Sequence, residues 1–237
     1  MSRVRVLAKD YISELKAVVD KISLKEFEKI IEVLFKAYKD GKTVYILGNG
    51  GAASMSSHMA CDLGKGTLTN TMNNLEKRFR VISLTDNVAT MTAFSNDISF
   101  DDVFTQQLRN YITAGDVVIG ISGSGNSLNV IQALAYAKQE GATTICLLGF
   151  YTGGNALQFA DYAIVVQSKN YGIIEDLHLS LSHMLTICLS VLKQRADSQY
   201  LKQSSKKTVP KKTNGKANSH LRVSNDDKKN VTPIRLP

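Results

Sequence analysis

Histidine and carboxylate side chains occur together in two widely separated segments of this sequence. His58 and Asp62 are four residues apart, so a helix would present both on one face, where they could share a metal ion or a substrate. The later segment EDLHLSLSH carries Glu175, His178 and His183, and ionisable groups on a helix that buries one face are unfavourable unless they are paired or bind something. Taken singly, each segment also fits a surface hydrogen bond or a hydrogen-bonded core histidine. Three of the four histidines lie in these two segments, however, so the joint pattern is more informative than either segment.

A glycine-rich loop, GNGG at 48–51, directly precedes the first of these segments. Asn49, Gly50 and Gly51 would let the backbone approach a ligand closely. The loop is a poor match to a dinucleotide-binding fingerprint, because Ala53 stands where a third glycine is needed. It also lacks the GK[ST] ending of a nucleotide phosphate loop.

A second loop, ISGSGNSLNV at 121–130, combines small polar residues with glycines where a strand should turn into a helix. Hydroxyl groups and free N–H groups at a helix start suit an anion, and the loop suits one phosphate group rather than two. A sugar phosphate therefore fits better than a dinucleotide. A serine-rich turn with an N-cap would explain only part of the cluster. The residues concerned are Ser122, Gly123, Ser124, Gly125 and Ser127.

Short apolar runs and longer helical patterns alternate along the chain and would position these loops. Each run is apolar on both faces, as in a buried parallel strand, so the alternation predicts an α/β fold with helices on both faces of a parallel sheet. Ligands of such sheets bind beyond the carboxyl ends of the strands, where both loops would lie. The predicted strands are 43–48, 80–84, 116–122, 143–149 and 162–167, and the predicted helices are 52–64, 87–110, 126–140, 154–160 and 173–196.

Two further helices, at 3–21 and 24–40, precede the first strand. Ser23 and Glu26 form a capping box for the second helix, and Gly41 ends it. Because no strand separates the two helices, they cannot both belong to the strand–helix repeat. We expect them to pack against a neighbouring subunit or to cover one edge of the sheet.

The chain divides into a domain at residues 1–198 and a basic tail at 199–237. Ten lysines and arginines and two aspartates lie within 201–237, so this segment alone accounts for the net charge of +8. It also contains all three prolines and no aromatic residue, and we expect it to be disordered. We expect the tail to increase solubility. The alternative is that it binds nucleic acid or an acidic surface weakly and in a salt-dependent way.

The composition indicates a cytoplasmic globular protein. The first residues are charged throughout and no run of about 18 apolar residues occurs, so we expect neither export nor a membrane span. Cys61, Cys146 and Cys188 are odd in number and lack CxxC spacing, which favours reduced cysteines over a disulfide framework or a cysteine-based zinc site.

Over roughly residues 5–195 the sequence resembles the sugar isomerase (SIS) domain family, and within it the phosphoheptose isomerases. The resemblance implies a three-layer αβα sandwich with a five-stranded parallel sheet. It also implies a homotetramer built in part by the N-terminal helices, with active sites at subunit boundaries. The motifs that carry it, in order, are GNGG at 48–51, HxxxD at 58–62, SND at 95–97, GDVVIGISGSGNSLNVIQAL at 115–134 and EDLHLSLSH at 175–183.

The resemblance also implies roles for individual residues and one zinc ion per subunit. Asp62 would be the catalytic base and His183 the acid, with Glu175 as a second candidate for the base, whereas His178 matches a family histidine that is not a ligand. The implied metal ligands are His58, Asp62, Glu175 and His183. The implied substrate contacts are Asn49, Gly50, Gly51, Asp62, Asn96, Asp97, Ser122, Gly123, Ser124, Ser127 and Glu175.

Four positions depart from the family pattern. Asp62 and Glu175 stand where the phosphoheptose isomerases usually have glutamate and glutamine, Ala52 replaces a serine, and Gly172 replaces an aspartate. Two histidines and two carboxylates still suit zinc, with more negative charge than the usual ligand set. Glu175 and His183 would lie about 12 Å apart along a regular helix, so an ion that meets both needs a long reach, an irregular helix start or a subunit contact.

These features predict an aldose–ketose isomerase of a phosphorylated sugar, with sedoheptulose 7-phosphate to D-glycero-D-manno-heptose 7-phosphate as the expected reaction. One alternative is an isomerase of another phosphosugar, which the departures at Ala52, Asp62 and Glu175 leave open. The other is a non-catalytic member of the fold, either a sugar-phosphate sensor or a protein that associates with the replication initiator. A pure sensor, however, has no need of two histidine–carboxylate pairs.

Overall fold

A five-stranded parallel sheet forms the centre of the computed structural model, which describes the backbone of residues 2–207 and the side chains of residues 2–196. The strand order is β2-β1-β3-β4-β5. The first and third strands are buried along their whole length, whereas the second lies at an edge and is partly exposed. The strands are β1 (Thr43–Gly48), β2 (Arg80–Ser83), β3 (Val117–Ser122), β4 (Thr143–Leu148) and β5 (Tyr162–Val165).

Helices cover both faces of this sheet. One apolar cluster packs α2, α3 and α7 against one face, and a second cluster packs α5 and α6 against the other. The predicted three-layer αβα sandwich is therefore confirmed. Within the described part of the chain, no helix combines the length and hydropathy that a membrane span requires. The helices are α1 (Arg3–Val19), α2 (Leu24–Asp40), α3 (Gly51–Cys61), α4 (Val88–Asp97), α5 (Val103–Tyr111), α6 (Leu128–Gln139) and α7 (Tyr171–Lys207).

The two N-terminal helices begin and end close to the predicted positions. Ser23 accepts a hydrogen bond from the Glu26 N–H, and Gly41 ends α2 in the left-handed conformation at φ +68°. The second helix packs on a face of the sheet and not on its edge, while α1 is mostly exposed and contacts the start of α7.

Three predicted boundaries differ from the structure. The single helix expected at 87–110 is wrong: a 3-10 turn at Phe100–Asp102 separates α4 from α5, because the Ser99 hydroxyl accepts from the Asp101 N–H and caps that turn. The helix expected at 154–160 is also a 3-10 turn, Asn155–Phe159. The last helix, expected at 173–196, spans Tyr171–Lys207. The tail at 208–237 lies outside the described residues, so the expected domain boundary at 198 stays a prediction.

The strand order reverses between β1 and β3, which are neighbours although β2 lies between them in sequence. Such a reversal opens a crevice at the carboxyl ends of the two strands. The GNGG loop follows β1 and the serine-rich loop follows β3, so the fold places both candidate binding loops at this crevice.

Candidate active site

The side-chain amides of Asn49 and Asn129 join the two loops across the crevice. Asn49 Nδ2 donates to Asn129 Oδ1 at 2.8 Å, and Asn129 Nδ2 donates to Asn49 Oδ1 at 3.0 Å. Asn129 is buried in the first turn of α6, so this double hydrogen bond fixes the start of α6 relative to the end of β1. Asn129 was not among the predicted site residues, and its only signal in the sequence is its position just after Ser127 of the serine-rich loop.

The serines of the loop after β3 differ in what they bond. Ser122 Oγ accepts from the Gly125 N–H at 3.0 Å, and Ser124 Oγ accepts from the Asn126 N–H at 3.2 Å. Ser127 is the N-cap residue of α6, but within the described chain its hydroxyl makes no cap hydrogen bond. Two serines therefore shape the loop, while the Ser127 hydroxyl and the first N–H groups of α6 are free to bind an anion.

The loop after β4 supports the serine-rich loop from behind. Gly125 has φ +64°, and a Cβ at this position would collide with the Gly153 carbonyl group. The Ala156 N–H donates to the Gly125 carbonyl at 2.8 Å, and the Asn155 N–H donates to Asn126 Oδ1 at 3.0 Å. This packing explains why glycine is required at residue 125 and keeps the loop in one conformation.

An aromatic side chain, Tyr171, covers part of the serine-rich loop. A Cβ on Gly123 would lie 3.0 Å from Tyr171 Cε1, and the Phe150 ring meets the Tyr171 ring edge-on with centroids 4.8 Å apart. Phe150 and the next residue, Tyr151, both have positive φ, at 51° and 65°, which is unfavourable for residues other than glycine and is frequent at functional sites. Tyr171 lies outside every motif and was not predicted as a site residue.

The helices α3 and α7 bring together His58, Asp62 and His183. The two Nε2 atoms of the histidines lie 2.9 Å apart. Asp62 Oδ2 lies 3.2 Å from His58 Nε2 and 3.8 Å from His183 Nε2. Asp62 begins a single π-helical turn at the end of α3, a feature that often occurs at functional sites. Both imidazoles are half-exposed, so the group faces solvent and could contact a ligand.

The donor atoms of these three residues suit a zinc ion. All of them lie within 4.8 Å of one another. Tetrahedral zinc with bonds of about 2.0–2.1 Å separates its ligand atoms by about 3.3 Å, and the three observed spacings bracket that value. Two imidazoles and one carboxylate also match the composition of catalytic zinc sites, which leave a position for substrate or water.

Glu175 is not part of this group within the described residues. Its carboxylate lies against Gly51 at the start of α3, where a Cβ on Gly51 would be 2.5 Å from Glu175 Oε1. Because α7 is helical from Tyr171 onward, Glu175 and His183 are about two turns apart. The expectation that Glu175 is a fourth metal ligand therefore stays a prediction.

The last two predicted contact residues, Asn96 and Asp97, lie at the exposed end of α4. Asn96 Nδ2 donates to Asp97 Oδ1 at 2.9 Å. In the described chain no hydrogen bond or ion pair connects either residue with the serine-rich loop or with the histidines. Their role in substrate binding stays a prediction.

His178 is a core residue. It is buried, and its Nε2 lies 3.0 Å from the Leu148 carbonyl oxygen at the end of β4. Burial lowers the pKa of His178 to about 4, so the imidazole is neutral at pH 7 and donates a hydrogen bond to that carbonyl. It connects α7 to the sheet and does not face the histidine pair.

Several sequence relatives of this chain are named phosphoheptose isomerase or probable phosphoheptose isomerase. The SIS domain family model matches residues 10–149. A probable phosphoheptose isomerase from Thermoplasma volcanium is 35% identical over 176 residues, which cover 74% of this chain and 87% of the relative. A phosphoheptose isomerase from Clostridium acetobutylicum is 35% identical over 163 residues, which cover 68% and 80% of the two chains.

Solved structures show the same fold. A phosphoheptose isomerase from Neisseria gonorrhoeae matches with a TM-score of 0.72 at 26% identity, covering 79% of this chain and 99% of that one. A phosphoheptose isomerase from Francisella tularensis matches with a TM-score of 0.71 at 22% identity, covering 80% and 99%, and shows similarity of fold alone. Together with the sequence relatives, these matches show that the chain belongs to the SIS domain family and, within it, to the phosphoheptose isomerases.

Proposed function

We propose that this protein interconverts sedoheptulose 7-phosphate and D-glycero-D-manno-heptose 7-phosphate. The observation that carries the proposal is the acid–base group of His58, Asp62 and His183, which forms where α3, the helix that starts at the crevice, packs against α7. A sugar-phosphate sensor would need the serine-rich loop but not this group. The sequence relatives named above carry the name of the same activity.

The substrate phosphate would bind at the serine-rich loop. The Ser127 hydroxyl and the N–H groups that begin α6 offer donors to one phosphate group, and the helix dipole favours its negative charge. His58, which contacts His183, lies about 10 Å along α3 from Gly51, at a rise of about 1.5 Å per residue. A sugar phosphate whose reacting carbons lie at the end opposite its phosphate could extend from the serine-rich loop to the histidines.

The isomerisation itself needs a base for the proton on carbon and an acid for the carbonyl oxygen. We assign the base to Asp62 and the acid to His183, whose Nε2 lies 3.8 Å from Asp62 Oδ2. If a metal ion binds Nε2 of His183 and one oxygen of Asp62, the imidazole would hold its proton at Nδ1 and the second carboxylate oxygen would be the one that accepts a proton. His58 would orient Asp62, because its Nε2 is 3.2 Å from the same carboxylate oxygen. Glu175 remains the alternative base, since its side chain is one methylene longer and it lies at the mouth of the crevice, against Gly51.

We further propose that one zinc ion per subunit binds to His58, Asp62 and His183. Bound there, the ion would orient the sugar oxygens and stabilise the negative charge that develops in the enediolate. The spacing and chemistry of the three donor atoms support this assignment.

The protein would work as a homotetramer, with Asn96 and Asp97 reaching the site of a neighbouring subunit. Large apolar side chains are exposed on three helices: Val4 on α1 is 74% exposed, Val88 on α4 is 70% exposed and Ile187 on α7 is 65% exposed. Exposed apolar surface of this kind favours burial in a subunit interface. Light scattering coupled to size-exclusion chromatography would give the subunit number.

The decisive experiment is to incubate the zinc-loaded protein with sedoheptulose 7-phosphate and identify the products. We expect the heptose aldose, with solvent deuterium incorporated at C2 in deuterated water. Asp62→Asn and His183→Ala should lose at least about 10²-fold in kcat, whereas Asp40→Asn on α2 is a matched control that should keep full activity. Tight binding without an aldose product would favour the sensor, and turnover of a different phosphosugar alone would replace the substrate.

A further inference from the structure

The first helix contacts the rest of the subunit through one narrow face. Val18 is its buried residue within the described chain, and Tyr11 and Leu15 pack beside it. Their apolar partners are Ile173, Ile174 and Leu177. All three partners belong to the first two turns of α7, so α1 packs against the start of the helix that carries Glu175.

Two polar contacts add to this apolar packing. The Tyr11 hydroxyl donates to Asp176 Oδ2 at 2.5 Å, and the Ser168 hydroxyl donates to Glu14 Oε1 at 2.7 Å. Tyr11 and Glu14 are three residues apart and lie on one face of α1. The hydrogen bond to the Asp176 carboxylate, with smaller contributions from burial and from the negative charges nearby, raises the pKa of Tyr11 to about 12. The phenol therefore keeps its proton, and its donor role, at neutral pH.

The same contacts fix the first turn of α7. Ser168 also accepts from the Asn170 N–H at 3.0 Å, and Asn170 Oδ1 accepts from the Gly172 N–H at 3.0 Å. The Tyr11 hydroxyl lies directly over Gly172, where a Cβ would be 3.0 Å away. The start of α7 thus lies between the side chains of Ser168 and Asn170 on one side and the side chain of Tyr11 on the other.

We propose that Tyr11 is a positioning residue for the isomerase: through Asp176 it fixes the turn of α7 that carries Glu175 and so keeps the Glu175 carboxylate over Gly51. Glu175 follows Gly172 by three residues and precedes Asp176 directly, so a small rotation of this turn would move its carboxylate relative to the start of α3. Charge-assisted hydrogen bonds are about twice as strong as neutral ones, which makes the Tyr11–Asp176 contact suited to this role. The inference rests on the proposed function, because it assigns Glu175 to the substrate site.

The test is a double-mutant cycle of Tyr11→Phe with Glu175→Gln on the zinc-loaded, full-length protein. Tyr11→Phe removes one hydroxyl and should lower kcat for sedoheptulose 7-phosphate about tenfold, since a displacement of catalytic groups by about 1 Å is enough for such a loss. KM should change less than kcat. In the Glu175→Gln background the same change should have little further effect. Tyr111→Phe removes an exposed tyrosine hydroxyl on α5 and is the matched control.

Two results would overturn the inference. One is a Tyr11→Phe enzyme with the kcat of the wild type, and the other is a loss that remains fully additive with Glu175→Gln, since a general loss of stability predicts additivity. If the wild-type protein releases no aldose, the proposed function fails. In that case the affinity of each protein in the cycle for sedoheptulose 7-phosphate is measured by calorimetry. Equal affinities of wild type and Tyr11→Phe would then reject the role of Tyr11 separately.

Discussion

The Nε2 atoms of His58 and His183 lie 2.9 Å apart, although 125 residues separate them in the sequence. At this distance one ring nitrogen donates and the other accepts, or both bind the same cation. The contact exists because α3 and α7 pack on the same face of the sheet, with Asp62 one turn after His58. The proposed metal site and the proposed acid–base chemistry both depend on this contact.

Removal of the metal should abolish most of the activity. Dialysis against a chelator is expected to lower kcat at least tenfold, and stoichiometric zinc should restore it, because the ion stabilises the charge that develops on the substrate. His58→Ala should bind zinc more weakly than the wild type, whereas Met184→Ala, next to His183 in sequence, serves as the control. Elemental analysis beside the rate measurement gives the occupancy. Full activity in protein shown to be free of metal would exclude this role.

Ser122 and Ser127, both in the serine-rich loop after β3, should respond differently to alanine substitution. Ser127→Ala removes a hydroxyl that makes no cap hydrogen bond in the described chain, so stability should stay within about 0.5 kcal/mol while KM for the sugar phosphate rises about tenfold. Ser122→Ala leaves the buried Gly125 N–H without its acceptor and should lower the free energy of unfolding by about 1–3 kcal/mol. Urea unfolding and steady-state kinetics on both variants separate the two effects. A destabilised Ser127→Ala protein with normal KM would contradict the assignment.

Much of the fold could be predicted because its signals are local. Strand β1 and strand β3 are apolar on both faces, and glycine and serine mark the loops that follow them. The spacing of His58 and Asp62 also predicts a shared helix face. The break between α4 and α5 was missed because it depends on one side chain, Ser99, competing with the helix for an N–H group.

Contacts between distant segments could not be predicted in the same way. The Glu175 carboxylate against Gly51 and the Tyr171 ring over Gly123 depend on how α7 packs across the crevice. No periodicity or motif in the sequence encodes the distance between such pairs. The placement of Tyr11 over Gly172 belongs to the same class, since it follows from how α1 docks on α7.

Gly51→Ala should perturb the site through Glu175. The added methyl group would lie 2.5 Å from Glu175 Oε1, so the carboxylate must move, and kcat/KM is expected to fall about tenfold. In a Glu175→Ala background the methyl group fits. There the same substitution should stabilise the protein by about 0.5–1 kcal/mol, as alanine does relative to glycine in a helix. In the wild-type background the steric conflict with Glu175 should instead lower stability, so thermal unfolding of the wild type, the two single variants and the double variant tests a change of sign. A Gly51→Ala effect on stability that is equal in both backgrounds would refute the contact.

A buried ion pair joins α7 to the segment before β2. Lys193 Nζ lies 3.3 Å from Glu76 Oε1, and the two side chains are 0% and 3% exposed. Lys193 also donates to the Thr67 carbonyl at 3.0 Å. Burial alone would raise the pKa of Glu76, but hydrogen bonds from the Thr69 and Asn70 N–H groups, the Thr69 hydroxyl and Lys193 lower it to about 2.

The ion pair of Glu76 and Lys193 should make the free energy of unfolding depend on pH under acidic conditions. Because the pKa of Glu76 in the folded protein lies below its ordinary value of 4.5, the stabilisation is complete above about pH 4.5 and is lost as the pH falls through about 2. The free energy of unfolding should therefore decrease by about 3 kcal/mol over this range. Glu76→Gln should remove this dependence and lower stability at pH 7 by about 3–5 kcal/mol, since it leaves Lys193 buried without a counter-charge. Urea unfolding at pH 7, 4.5, 3 and 2 measures both effects, with the exposed Glu32→Gln on α2 as the control. Parallel pH profiles for wild type and Glu76→Gln would mean that folding does not shift the pKa of Glu76, which would contradict this prediction.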